Sequence, residues 1–445
     1  MQKHDRTIAI STELPKVSHG QGCYVTDASG KRYLDSSGGP AVFSLGHSHA
    51  EVNAAITHQL DRIAHGYRYS FTSDPLEHLT DLIQQQAGPG SEHILFVSSG
   101  SEAVESALKI ALQYHFARGD VKRTRFIARE RSYHGNTLGA LSVSGFAQRR
   151  KQFEGALVPC SFISQANTYR PAAGGDNEAL VNFLGDELAT EIERLGPDEV
   201  AAFIFEPVVG AAGGAVPAPP GYARRMREVC DRYGVLMIAD EVMCGSGRCG
   251  TWRALEHDGV IADLTAIGKG LGGGYVPLAA VLYTDDVGRP VHQADGSPNT
   301  GHTFTGHTLA CAAAARVQEI VMRDKLVERV RKKGPELMQA INAAVGNLDA
   351  VGDIRGRGYL IGVEFVADRE TRRPFDPGLR VTEVIRERTL EAGLICYPVS
   401  GTVNGIVGDV AIVSPPYNAS DEVLGELVER FAGAVHKAVT DIGAS

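Results

Sequence analysis

The stretch ADLTAIGKGLGGGYVPLAAVLY, residues 262–283, places a single lysine, Lys269, inside a cluster of five glycines and between two apolar runs. A turn of this kind could cradle a phosphate, present a nucleophilic amine or simply reverse the chain. The flanking runs are short and rich in Ala, Val, Leu and Ile, which is typical of strands buried on both faces of a sheet. Other parts of the sequence are needed to distinguish these three possibilities.

Short apolar runs alternate with helical patterns from about residue 90 to 285, which predicts βα units around a buried parallel sheet. The runs are residues 94–97, 126–128, 201–205, 235–239, 264–267 and 276–282. After the first run, SSGSEAVESALKIALQYHFARG begins with serines that can cap a helix and ends on Gly119. These features predict an α/β protein whose central sheet is flanked by helices.

The chain ends have a different pattern. From residue 316 onward, amphipathic helices and single strands predict a smaller α+β unit. CYVTDASGKRYLDSS, residues 23–37, predicts a hairpin that turns at residues 27–30 and packs with that unit. We therefore predict a large domain at residues 56–315 and a small domain built from residues 1–55 and 316–445.

Composition excludes several classes of protein. The net charge of −9 and the spread of lysines and arginines give no basic surface for nucleic acid. No run of 18 apolar residues is present, and MQKHDRTIAISTELP lacks a signal-peptide core, so we expect a cytoplasmic protein without a membrane partner. The seven cysteines are scattered, and neither they nor the histidines have the spacing of a disulfide framework or a metal site.

Reactive residues follow several of the apolar runs. In parallel sheets ligands bind beyond the carboxyl ends of the strands, so these residues are expected to lie together. They are the serine-glycine turn at residues 98–101, Glu206, the pair Asp240 and Glu241, and Lys269. A helix start that offers N–H groups, two or three carboxylates and one lysine suit a phosphorylated, nitrogen-containing cofactor bound through an amine.

Pyridoxal 5′-phosphate needs these groups for physical reasons. Its phosphate is stabilised at a helix N-terminus, its aldehyde forms a Schiff base with a lysine, and its ring nitrogen requires a carboxylate. The turn at residues 99–101, Lys269 and Asp240 supply all three. We expect the surrounding glycines to let the backbone approach the cofactor and to leave room for the lysine to move.

Six motifs in order along the chain carry a resemblance to a known family. They are VSSGSEAVESALK, RSYHGNTLGALSVSG, FEPVVG, IADEVMCGSGRCG, AIGKGLGGGYVPLAAV and HTFTGHTLACAAA. With them the sequence resembles the class III aminotransferases of pyridoxal-phosphate fold type I, the family of the ornithine, 4-aminobutyrate and ω-amine transaminases. The resemblance covers nearly the whole chain, from residue 46 to residue 416.

The resemblance implies roles for the residues that hold the cofactor. Lys269 is expected to form the Schiff base and to carry the proton, and Asp240 to pair with the pyridine nitrogen. Gly100 and Ser101 are expected to hold the phosphate, with Ser99 capping the helix behind them. The implied reaction is ping-pong transamination, in which an amine donor and an oxo-acid acceptor react in turn.

Further matched positions surround the cofactor ring. Tyr133 is expected to stack on one face, with His134 and Gly135 beside it, and Val242 to cover the other face. Thr303 falls where the family's phosphate-binding threonine comes from the neighbouring subunit. The resemblance therefore implies a homodimer with shared active sites, and the sequence leaves open whether dimers pair into tetramers.

The sequence departs from the family at the substrate side. Residues 396–418 contain no lysine or arginine, and Ile412 stands where amino-acid transaminases carry the arginine that binds the substrate carboxylate. Family glutamates at the position of Glu206 often pair with that arginine, so Glu206 is expected to be free for a cationic amine. We therefore expect an amine or ω-amino donor. The candidates to bind the acceptor carboxylate are Arg68, Arg355 and Arg357.

Other functions remain open on the same scaffold. An aminomutase, racemase, decarboxylase or phospho-lyase would use the same lysine and aspartate. A phosphate-loop ATPase is excluded, because no GxxxxGK[ST] pattern is present and residue 270 is a glycine. A non-catalytic protein would require the reactive groups at successive strand ends to be a coincidence.

Overall fold

The computed structural model describes residues 14–443, so the segment MQKHDRTIAISTE, on which the signal-peptide expectation rests, lies outside the described residues. The strands in the described part are β1 Val17–Gln21, β2 Tyr24–Asp27, β3 Arg32–Asp35, β4 His93–Val97, β5 Arg125–Arg129, β6 Cys160–Ile163, β7 Val200–Phe205, β8 Val208–Val209, β9 Val216–Pro217, β10 Leu236–Asp240, β11 Leu264–Ile267, β12 Ala279–Tyr283, β13 Val351–Arg357, β14 Leu360–Phe365, β15 Leu394–Ile395, β16 Tyr397–Ser400 and β17 Asp409–Val413. The helices are α1 Gly38–Ala41, α2 Ala50–Arg62, α3 Asp74–Ala87, α4 Gly100–Ala117, α5 Leu138–Ser142, α6 Ala147–Arg150, α7 Asn177–Leu195, α8 Tyr222–Tyr233, α9 Asp285–Asp295, α10 Thr308–Arg323, α11 Leu326–Val345, α12 Val381–Glu391 and α13 Asp421–Asp441.

A seven-stranded sheet in the order β4-β12-β11-β10-β7-β5-β6 forms the centre of the molecule. The pairs around β10, β7 and β5 are parallel, as predicted. The run at residues 276–282 was expected to be another parallel strand, but β12 is antiparallel to both of its neighbours. The reason is the connection: the glycine-rich turn after β11 is too short to contain the helical crossover that a parallel pair needs.

Alternate residues of the sheet face different helices. Ala202, Ile204 and Ile238 pack in one core with residues of α4, whereas Phe203 and Met237 pack in another with residues of α7 and α8. Every residue of β7 and β10 is buried, which explains why these strands read as unbroken apolar runs. The two layers of helices leave the carboxyl ends of the central strands as the place where polar side chains can gather.

Segments from both chain ends pack beside this sheet. The hairpin of β2 and β3 forms as predicted, and the Asp27 carboxylate accepts hydrogen bonds from the turn residues Ser29 and Lys31. Strand β3 also pairs in parallel with β15 from the C-terminal part. Strands β13, β14, β17 and β16 form a separate antiparallel sheet. The boundaries at residues 55/56 and 315/316 remain a prediction, and α10 runs across the second of them.

The fully buried Arg248 connects three distant parts of the chain. Its guanidinium donates to the carbonyl oxygens of Phe43 at 3.2 Å and Pro415 at 2.6 Å, and it lies 4.6 Å from the centre of the Tyr417 ring. These carbonyls belong to loops outside regular ladders. The arginine therefore satisfies buried backbone acceptors that would otherwise be unpaired.

Replacing Arg248 with alanine is expected to lower the free energy of unfolding by about 3–5 kcal/mol, because it leaves a cavity and unpaired carbonyls. Arg232→Ala removes an exposed arginine and serves as the matched control. Thermal unfolding followed by circular dichroism measures the difference. Equal unfolding midpoints for the two variants would show that Arg248 does not hold the three segments together.

Candidate active site

A cavity of about 310 Å³ lies at the carboxyl ends of the central strands. Ten of the eleven residues predicted from the sequence to bind the cofactor line it, and the exception is Thr303. The strand ends bring together residues from β7, β10 and β11, while the start of α4 and the segment after β5 close the sides. This is the edge at which parallel sheets bind ligands.

Lys269 lines the cavity from the turn between β11 and β12. Its φ of 43° is in the left-handed region, which a residue with a side chain adopts only when its surroundings hold it there. Burial lowers the pKa of its amine, and the charges of Asp240 and Glu206 oppose that effect. The amine therefore loses its proton more readily than an exposed lysine.

The glycines next to Lys269 also permit close packing behind the turn, and their expected role towards the cofactor stays a prediction. A Cβ at Gly270 would lie 3.0 Å from the Tyr417 hydroxyl, and one at Gly274 would lie 2.5 Å from the ring of Phe43. A Cβ at Gly273 would similarly meet the Ser44 hydroxyl at 2.9 Å. These three glycines allow segments from the two ends of the chain to pack closely against the turn, so they fix its position from behind.

Asp240 ends the central strand β10 with a buried carboxylate. Its Oδ2 lies 2.7 Å from His134 Nδ1, and its Oδ1 accepts a hydrogen bond from the Val242 N–H at 3.0 Å. The His134 ring is fully buried, and its Nε2 has no hydrogen-bond partner in the described chain. Histidine and the backbone together hold the carboxylate at the floor of the cavity.

The neighbouring carboxylates are used differently. Glu206 accepts backbone N–H bonds from Tyr133 at 2.9 Å and Gly210 at 2.8 Å, so it is not the free group that the sequence suggested. Burial raises its pKa. Glu241 points away from the cavity and accepts the Leu255 N–H at 3.0 Å; burial raises its pKa to about 7. Glu241 is therefore structural.

The start of α4 forms the other side of the cavity. Ser99 caps the helix by accepting the Glu102 N–H at 3.2 Å. A Cβ at Gly100 would lie 2.7 Å from Val242 Cγ1, and one at Gly135 would lie 2.6 Å from Ser101 Oγ. Only glycines fit at these two positions, and they leave backbone N–H groups at a helix N-terminus available to an anion.

Several predicted residues lie outside the cavity. Thr303 is exposed, and its carbonyl faces His65 Nε2 at 3.1 Å. Thr305, two residues further along the same loop, is buried and accepts the His302 N–H within that loop. Arg355 is bound to Glu364 and Asp353 and to backbone carbonyls. Neither Arg68 nor Arg357 lines the cavity.

The sequence analysis missed other residues that line the cavity, namely Pro40, Arg149, Ala211 and Tyr397. Tyr397 belongs to β16 and pairs with Ile412 of β17, which is fully buried and lies outside the cavity lining. No short motif marks these positions. A count of the cations in the segment after Tyr133 would have found Arg149.

The residues present fit pyridoxal phosphate. The cavity combines a lysine whose pKa is lowered by burial, a carboxylate fixed at a strand end and a helix start that only glycine can form. The unpartnered His134 Nε2 is a further buried polar atom that a ligand could satisfy. No cluster of three or more metal-binding side chains occurs between residues 14 and 443.

Comparison with known proteins gives consistent similarities. The profile of the class III aminotransferase family matches residues 10–435. The uncharacterized aminotransferase YodT of Bacillus subtilis is 39% identical, with 96% of each chain covered. The adenosylmethionine-8-amino-7-oxononanoate aminotransferase of Nitratidesulfovibrio vulgaris is 36% identical, with 96% of this chain and 78% of that protein covered.

Solved structures agree with these matches. A PLP-bound amine transaminase from an uncultivated Pseudomonas species has a TM-score of 0.91 and is 33% identical, with 98% of this chain and 99% of that chain covered. In the described part of the protein, no helix is both long and apolar enough to cross a membrane.

Gly100→Ala is expected to weaken pyridoxal phosphate binding at least about fivefold, because the new methyl group forces Val242 or the turn into the cavity and overpacking costs about 1–3 kcal/mol. Titration of cofactor-free protein with pyridoxal phosphate, followed by absorbance, gives the dissociation constant. Gly425→Ala is the matched control, since a Cβ there meets nothing within 4 Å. Equal affinities in the two variants would contradict the assignment.

Proposed function

Because the chain belongs to the class III aminotransferases and uses pyridoxal phosphate, we propose that it transfers an amino group from an amine or ω-amino compound to an oxo acid. The observation that carries this proposal is the largely apolar lining that Pro40, Ala211, Met243 and Tyr397 give the cavity beside its reactive groups. Residues 396–418 offer no cation for the α-carboxylate of an ordinary amino acid. An apolar lining instead suits the carbon chain of an amine.

Lys269 and Asp240 have separate roles in the proposed reaction. Pyridoxal phosphate, when bound, supplies an aldehyde that takes up the amino group and a ring that spreads negative charge. Lys269 would take a proton from the substrate carbon as a neutral amine and, as an ammonium, would deliver it to the carbon that carried the cofactor aldehyde. Burial favours the neutral amine, since it lowers the pKa. Asp240, positioned by His134, would pair with the ring nitrogen.

The remaining residues position and shield the reacting groups. Tyr133 and Val242 line the cavity on its sides and exclude water from it. The start of α4, with Ser99, Gly100 and Ser101, binds the phosphate through backbone N–H groups. Gly135 allows Ser101 to come close to the segment that follows β5. Glu206 fixes the backbone of Tyr133 through its hydrogen bond.

The purified holoenzyme is expected to change from its pyridoxal to its pyridoxamine absorbance when an amine or ω-amino acid is added without an acceptor. α-Amino acids other than the amination product of the acceptor are expected to convert it at least tenfold more slowly, and Lys269→Ala is expected to show no conversion. Stopped-flow spectra across the donor classes measure the rates. Turnover of a substrate without conversion of the cofactor would instead indicate an aminomutase, racemase, decarboxylase or phospho-lyase.

The same proposal includes a homodimer with shared active sites. Tyr69 and Phe71 are 75% and 69% exposed, and Phe304 beside Thr303 is 53% exposed. The loops are neighbours, since the Gly66 N–H donates to the Thr308 hydroxyl at 2.9 Å. Exposed aromatic side chains in adjacent loops are typical of an interface. This supports a second copy that covers them and receives Thr303; pairing of such dimers into tetramers stays open.

The cytoplasm is the proposed location. All seven cysteines are free, and most of them are buried. Free thiols persist in reducing compartments, where disulfides are rare. The substrates in this proposal are small molecules, without nucleic acid or a membrane as a partner.

Mixed dimers test whether Thr303 acts across the interface. Lys269→Ala and Thr303→Ala chains, refolded together, are expected to form hybrids in which one site has both native residues and the other has neither. That native site should restore cofactor binding and donor conversion, measured by absorbance on hybrids purified by two affinity tags. Hybrids without restored conversion would indicate that Thr303 acts within its own chain, and Thr303→Ala homodimers that convert the donor normally would indicate that it has no role.

A further inference from the structure

The cavity contains a second cation besides Lys269. Arg149, the third residue of the short helix α6, lines the cavity together with Tyr133 and Tyr397. Arg149 is an exposed residue that also contributes to the lining, so it lies at the open side of the cavity. A charged group at the open side of the cavity is placed to contact a substrate that enters it.

The acidic groups of the cavity are already occupied by other partners. Asp240 is bound by His134 and the Val242 N–H, and Glu206 is bound by two backbone N–H groups. Within residues 14–443, no carboxylate oxygen lies inside the ion-pair distance of 4.0 Å from the Arg149 guanidinium. Arg149 therefore has its charge available for an anion.

Aromatic rings flank the arginine, and a side-chain hydrogen bond joins it to the Tyr133 hydroxyl. The guanidinium carbon lies 4.8 Å from the centre of the Tyr133 ring and 5.1 Å from that of Phe146. Such stacking stabilises the cation through the ring faces and leaves N–H groups at its edge free. Burial raises the pKa of the Tyr133 and Tyr397 phenols, and the Arg149 charge opposes the rise in both. The guanidinium charge therefore influences the pKa of both tyrosines that line the cavity.

The position of α6 is fixed by the small sheet. The loop between β16 and β17 contains Gly401 and Gly405, and a Cβ at either glycine would lie 3.0 Å from the side chain of Gln148. The loop therefore packs directly on the residue before Arg149. The loop belongs to residues 396–418, which contain no lysine or arginine, and its contact with Gln148 orients Arg149.

We propose that Arg149 binds the carboxylate of the oxo-acid acceptor, and likewise the distal carboxylate of an ω-amino acid donor. A planar guanidinium with free edge donors can bind a carboxylate through two parallel hydrogen bonds. The assignment rests on the proposed aminotransferase function and adds its carboxylate site. It also explains how oxo acids bind without the arginine that relatives carry near Ile412.

The test separates the two half-reactions of the holoenzyme. Arg149→Gln is expected to lower kcat/KM of the pyridoxamine form for pyruvate by about 10- to 100-fold, which is the effect of losing a charge-assisted pair. Most of that loss should appear in KM. Conversion of the pyridoxal form by 1-phenylethylamine, which has no carboxylate, should change less than about twofold, since no charge-assisted bond is lost.

Two further variants control for folding and for general charge effects. Arg149→Lys keeps the charge and is expected to recover part of the pyruvate rate, whereas a merely structural arginine would give no such recovery. Lys151→Gln removes an exposed cation two residues away and should behave as the wild type. Equal losses in both half-reactions, or none for pyruvate, would overturn the assignment. A wild-type enzyme that no amine converts would contradict the proposed function instead.

Discussion

Burial of the Asp240 carboxylate at the end of the central strand is the constraint on which the rest of the site depends. Moving a charged group out of water costs several kcal/mol unless partners replace the lost hydration. His134 Nδ1 at 2.7 Å and the Val242 N–H at 3.0 Å are those partners. Each comes from a segment that must therefore sit at this edge of the sheet. The same need for partners keeps Tyr133, next to His134, over the cavity, where Glu206 holds its backbone N–H.

The sequence predicted the family, the fold type and the cofactor, and the comparisons confirm them. It could do so because the chemistry lies at strand ends, where a buried apolar run stops and a reactive side chain follows. The positions of Lys269 and Asp240 in the cavity follow from that rule, as does the helix start at Gly100. The spacing of residues in the sequence was sufficient to predict these positions, because each reactive side chain directly follows the strand that positions it.

Other features depend on contacts between distant segments, which spacing does not encode. The direction of β12 is decided by the length of the preceding turn, and the run at 276–282 has the same composition in either direction. Arg149 and Tyr397 lie far apart in sequence and meet only because the small sheet packs on α6. Glu206 and Glu241 look alike in the sequence, yet backbone donors bind them for different purposes. The predicted role of Thr303 is to bind the phosphate in a neighbouring subunit, and a single chain does not test it.

The turn that carries Lys269 is packed against Phe43 and Ser44 from one end of the chain and Tyr417 from the other. A ribosome therefore produces the lysine well before the residue that completes its surroundings. Until Tyr417 leaves the exit tunnel, the amine stays in water with the proton that an ordinary lysine holds, and so it is a poor nucleophile. Completion of the chain buries the amine and lowers its pKa. The order of synthesis thus delays the lowered pKa of this side chain until the segments that enclose it have been made.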